Sequence, residues 1–65
     1  MYFKINDLVK LINDMPSESL TKGVVGVVVA EFSEPDEAYE VEFCNESGET
    51  IAQVALSSKQ IEKVI

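Results

Sequence analysis

Two glutamates set two residues apart, Glu40 and Glu42, a single cysteine, Cys44, and a short acidic run at 34–37 are the groupings in this chain that invite a chemical reading. On a strand, Glu40 and Glu42 would share one face and stand ~6.6–7 Å apart. That lies within the ~5–9.5 Å range of carboxylate pairs that cleave glycosidic bonds. Such an enzyme also needs a cleft and a platform for the sugar, and the chain has no Trp. The pair reads as a solvated strand face, and no catalytic residue is assigned. The run Glu34-Pro35-Asp36-Glu37, with Glu40 nearby, could offer hard oxygen ligands. A calcium loop alternates Asp or Asn around a glycine at a sharp turn, and that spacing is missing here. A solvated turn is expected, with no metal site and no cofactor. A reactive thiolate needs a neighbouring cation, a helix N-terminus or a His. The residues around Cys44 supply none, so it reads as a half-buried strand-end residue.

The missing residue types narrow the choice further. Without His or Arg there is no Ser–His or Cys–His nucleophile pair and no imidazole-ligated zinc. One Cys excludes an internal disulfide framework, and a reduced, cytoplasmic setting is expected. Residues 1–3 do not open a Lys-flanked apolar run, so no signal peptide is expected. The longest apolar stretch, residues 24–30, is too short to span a bilayer. Twelve carboxylates against five lysines leave a net charge of −7. The lysines are scattered at 4, 10, 22, 59 and 63, which disfavours nucleic acid and anionic membrane as partners. A basic protein partner fits this balance, and so does plain solubility. Of the five aromatics, three are expected in the core; a proline-rich peptide groove would need more of them.

These groups need a scaffold, and 65 residues allow one domain, 1–65, whose core contributes only ~3–5 kcal/mol net. The chain reads as short strands separated by turn chemistry. Residues 3–12 fit either a helix, with Asn6 as N-cap, or a strand that buries Val9 and Leu11. Residues 13–21 form a loop rich in turn formers. Residues 24–32 are β-branched and aromatic, with Gly23 turning the chain and Gly26 marking a bend or a close backbone approach. A turn at 33–37 leads to Ala38–Cys44, where Tyr39, Val41 and Phe43 alternate with Glu40 and Glu42. Gly48 suits the left-handed position of a hairpin loop at 45–48. A strand at 49–56 requires a bulge near Ala52-Gln53, because Ile51, Val54 and Leu56 cannot share a face without one. One helical turn at 57–60 then precedes a last strand at 61–65. The expectation is an all-β fold, a small antiparallel barrel of about five short strands.

The segments Leu20-x-Lys22-Gly23-x-Val25-Gly26-x-Val28-Val29, Ala38-Tyr39-Glu40-Val41-Glu42-Phe43 and Gly48-x-Thr50-Ile51-Ala52 resemble a family of short bacterial proteins known as domain of unknown function 4926. Members look like stand-alone SH3-like barrels, and the likeness runs from about Asp7 to Val64. The resemblance implies a strand rather than a helix over Asp7 to Ile12. It carries no activity; the small separate proteins of the family suggest an accessory or toxin–antitoxin role. Positions 24 and 27, more often polar or acidic in such stretches, are both Val here. With Val25 and Val28 turned inward and the alternation shifted at the glycine bend, Val24, Val27 and Val29 would form an outer apolar ridge.

The functional expectation is a small acidic, non-enzymatic protein–protein interaction module. Val24, Val27, Val29, Glu40 and Glu42 are its candidate contact residues, and a homodimer through the valine ridge is one form it could take. An antitoxin or immunity-like inhibitor of a basic, nuclease-type toxin is the first alternative. A metal-dependent accessory subunit of an enzyme is the second.

Overall fold

In the computed structural model, which describes residues 2–64, the alternating segment Ala38–Cys44 forms a strand whose inner residues Tyr39, Val41 and Phe43 are fully buried. It is β3 of five, after β1 (Leu8–Leu11) and β2 (Val25–Phe32) and before β4 (Thr50–Leu56) and β5 (Ile61–Lys63). All pairings are antiparallel, in the order β4-β3-β2-β1-β5, within a single sheet. The sheet curls around one core of Phe3, Val9, Leu11, Leu20, Val28, Tyr39, Val41, Phe43, Leu56 and Ile61. Its outer strands β4 and β5 are not hydrogen-bonded neighbours, so the barrel stays open.

The ambiguity over residues 3–12 resolves as a strand, with Val9 and Leu11 buried. Asn6 caps no helix. It takes a left-handed conformation (φ 80°), which Asn tolerates better than most residues, in a turn closed by the Asp7 amide donating to the Lys4 carbonyl. Residues 57–60 form a turn with one backbone hydrogen bond, from the Gln60 amide to the Ser57 carbonyl, and the Gln60 side chain accepts from the Ser57 amide in return. A 3-10 helix lies earlier, at Pro16–Glu18, where proline fixes the first residue's φ. The last strand ends at Lys63; the Val64 amide still donates to Leu8, and Ile65 lies outside the described residues.

Two bulges curl the sheet: the one in β2 lies three residues past the bend expected at Gly26, and the one in β4 lies beside the expected Ala52-Gln53. Val28 pairs with Val41 but Ala30 pairs with Glu40, so Val29 is the extra residue of β2. Phe43 pairs with Ala52 but Cys44 pairs with Thr50, so Ile51, not Ala52-Gln53, is the extra residue of β4. Gly26 does not shift the alternation. It faces inward opposite Phe43, and a Cβ there would lie 2.7 Å from Phe43 Cδ1 and 2.8 Å from the Glu42 carbonyl oxygen. The missing side chain is therefore the space into which the Phe43 ring packs. Gly48 (φ 83°) takes the left-handed position in the hairpin, where the Asn45 side chain accepts from the Ser47 and Glu49 amides.

One polar group enters the core, and it is fully partnered. The Tyr39 hydroxyl donates to Glu37 Oε2 at 2.5 Å and accepts from the Tyr2 and Phe3 amides at 3.0 and 3.4 Å. The Phe3 ring meets the Tyr39 ring edge-on, with centroids 5.2 Å apart. Burial, reinforced by the hydrogen bond to Glu37, raises the Tyr39 phenol above its ordinary pKa of 10.0. Tyr39, its hydroxyl held by Glu37 of the acidic run, thus ties the N-terminal segment to the core.

Candidate functional site

Because side chains alternate along a strand, burying Val9, Gly26, Val28, Val41 and Phe43 turns their neighbours to the opposite face of the sheet. Register then determines which of those neighbours meet. Leu8 on β1 lies opposite Val27 on β2, and Val27 lies opposite Glu42 on β3. One step along, Lys10 lies opposite Val25. Together Leu8, Val25, Gly26, Val27, Glu42 and Cys44 line an open groove of about 200 Å³ on the outer face. Leu8 is 54% exposed and Val25 44%, high values for aliphatic side chains in regular strands.

The two flanks of the groove differ in charge. On the β1 side Lys10 is paired with Glu62 across to β5, N to O 3.6 Å, so that rim is close to neutral. On the β3 side Glu42 accepts from the Thr50 hydroxyl at 2.6 Å, and Glu40 accepts from the Gln53 amide at 3.1 Å. Both partners are uncharged. Among the described residues the ion pairs are Lys10–Glu62 and Lys63–Asp7, so neither Glu40 nor Glu42 is neutralised.

The structure brings together three of the five candidate residues. Val27, Glu40 and Glu42 share the outer face, with Val27 and Glu42 directly paired. The valine ridge does not form as expected. Val24 precedes β2 and packs against the core, while Val25, expected inside, is exposed. Val29 is exposed, but as the bulged residue, out of step with Val27. An all-apolar run from 24 to 29 has no polar residue to reveal its phase, so the alternation could be read in either sense. Leu8, Val25 and Cys44 were missed as groove residues. Leu8 could have been found: once Val9 and Leu11 are assigned to the core, period two sends Leu8 outward. Cys44 is exposed rather than half-buried, because it ends β3 beside the hairpin. Three aromatics, Phe3, Tyr39 and Phe43, are core, while Tyr2 and Phe32 are exposed. Among the described residues, no cluster of three His, Cys, Asp or Glu is disposed to hold a metal ion.

The fold and this face define a small all-β domain, a five-stranded antiparallel open barrel with an apolar groove edged by carboxylates. Within that class the chain belongs to the family described as Domain of unknown function (DUF4926), whose model matches residues 5–63. No curated protein and no solved structure matches the chain.

Proposed function

We propose that this domain is a non-enzymatic protein–protein interaction module that works through the outer face of β1, β2 and β3. The observation that carries the reading is the groove of Leu8, Val25 and Val27 beside the un-neutralised Glu40 and Glu42. Isolated exposed aliphatic residues are ordinary on a protein surface, but a contiguous apolar set edged by charge marks a contact site. At about 200 Å³ the groove falls below the ~300–1,000 Å³ of small-molecule sites, which supports a protein partner over a metabolite. The net charge of −7 supports a basic partner and disfavours nucleic acid or an anionic membrane surface. Among the described residues no helix is long and apolar enough to cross a membrane. A cytoplasmic, reducing setting agrees with a single exposed thiol.

Inhibition of a basic, nuclease-type toxin is the narrower form of this reading, and the paired carboxylates of β3 favour it. A neighbouring gene for a basic protein that is toxic alone and co-purifies with this chain would establish that form; its absence would remove it. The module reading is tested by capture from the native cell with the tagged wild type beside a Leu8→Thr/Glu42→Gln variant. Capture is repeated at ~0.1 M and ~1 M salt, where the Debye length falls from ~10 Å to ~3 Å. A partner held by the wild type, weakened by salt and absent from the variant is the expected result. No partner, or one retained equally by the variant, refutes the reading.

A further inference from the structure

We infer that the groove recognises a single large apolar side chain carried on a basic segment, with Lys or Arg beside it to meet Glu42 and Glu40. This rests on the module reading above and specifies the chemistry of the partner. Size sets the first half of the code. An apolar cavity of ~150 Å³ accommodates benzene, so about 200 Å³ holds one leucine- or phenylalanine-sized side chain and little more. The walls, Leu8 from β1 and Val25 and Val27 from β2, are aliphatic, and only Glu42 brings charge to the lining.

Charge sets the second half, and it is one-sided. The β1 rim is closed by the Lys10–Glu62 pair and offers an incoming cation nothing new. The β3 rim presents Glu42 at the groove and Glu40 two residues along the same face, both bonded only to the neutral Gln53 and Thr50. Two carboxylates ~6.6–7 Å apart match cationic side chains two residues apart on an extended segment. The bound segment therefore places its anchor between β1 and β2 and its cations over β3. A second copy of this chain fits less well. It brings another −7, and Lys10, which its register places on this same face, is already paired with Glu62.

The test is selection from a displayed library of random dodecapeptides on the immobilised wild-type domain. The enriched peptides are expected to share one Leu, Phe, Ile or Met with Lys or Arg within two or three positions. A synthesised representative should bind Leu8→Thr/Val25→Thr about tenfold more weakly or worse, the factor that losing an aliphatic contact surface carries. On Glu40→Gln/Glu42→Gln its binding should lose its salt dependence. Circular dichroism confirms that each variant remains folded, as expected for substitutions at solvent-facing positions. No consensus, a consensus without basic residues, or equal binding to the Leu8→Thr/Val25→Thr variant overturns the inference. So does sedimentation showing a wild-type dimer that this variant abolishes, because a second copy is then the occupant. If selection fails while the native-cell partner still depends on Leu8 and Glu42, the module reading stands and only this recognition code falls.

Discussion

The two faces of β3 answer to different demands. On the inner face Tyr39, Val41 and Phe43 are sealed from water, and no buried side-chain polar atom among the described residues lacks a partner. On the outer face, the carboxylates of Glu40 and Glu42 stand beside aliphatic side chains that no described residue covers. The inner face is explained by folding alone: a core this small needs every apolar contact and tolerates no unsatisfied group. Folding does not explain the outer face, where Thr at position 8 or 25 would suit a solvated strand as well as Leu or Val.

The comparison breaks first at Phe43. Phe43→Ala removes a fully buried ring opposite Gly26, and such truncations cost ~3–5 kcal/mol. That matches the whole net stability expected of a domain this size, so circular dichroism at 25 °C should show an unfolded chain. A folded variant would mean that the inner face is less critical than its burial indicates. Gly26→Ala comes next. Its Cβ meets the Glu42 carbonyl oxygen at 2.8 Å, a backbone atom that cannot swing aside, and overpacking of this kind costs ~1–3 kcal/mol. Urea denaturation should place its midpoint clearly below that of the wild type.

Tyr39→Phe is milder. It keeps the ring but removes the hydroxyl that binds Glu37 and the Tyr2 and Phe3 amides, for a loss of ~1–3 kcal/mol. The phenol also sets a pH dependence. Tyr39 ionises near pH 10 when unfolded, but its raised folded pKa keeps the proton on in the native state. The unfolded state is therefore favoured as pH rises past 10, and the stability present in full below that pH is lost above it. Denaturation midpoints measured from pH 8 to 11 should fall less steeply in Tyr39→Phe than in wild type. Equal slopes would show that the buried hydroxyl is not the group responsible.

The smallest expected effect sharpens the contrast most. Leu8→Thr and Val25→Thr should each change stability by no more than ~0.5 kcal/mol, the usual range for exposed positions. A loss of more than about 1 kcal/mol at either would make these side chains part of the core's support, and the two faces would no longer differ in kind.

How much of this was legible in the sequence depended on contrast between neighbouring residues. Glu-Val-Glu-Phe in β3 announces its phase at every step, and both faces followed from it. Gly26 was legible as a close approach, because glycine in a β-branched run has few other uses. The bulge at Val29 was not, since Val27, Val28 and Val29 are chemically identical and only pairing with β3 shows which is extra. For the same reason Val24 and Val25 exchanged faces. Half of the candidate site, the carboxylate rim, could be read from one strand. The groove could not, because it exists only once β1 lies beside β2, and that adjacency is a property of the folded chain.

That β5 lies against β1 has a kinetic consequence. The β2–β3 and β3–β4 hairpins close between residues six positions apart, Phe32 with Ala38 and Cys44 with Thr50. The β1–β5 contact joins Leu11 to Ile61, fifty positions apart. By the logarithmic scaling of loop closure, bringing those ends together from the open chain costs about 2 kcal/mol more than closing a hairpin. β5 repays that with three residue pairs, one buried side chain, Ile61, and two ion pairs, Lys10–Glu62 and Lys63–Asp7. The meander from β2 to β4 is thus the part of the chain that can assemble early. The final strand docks onto β1 late and opens first, which hydrogen exchange would register as amides of β5 that exchange well before those of β3.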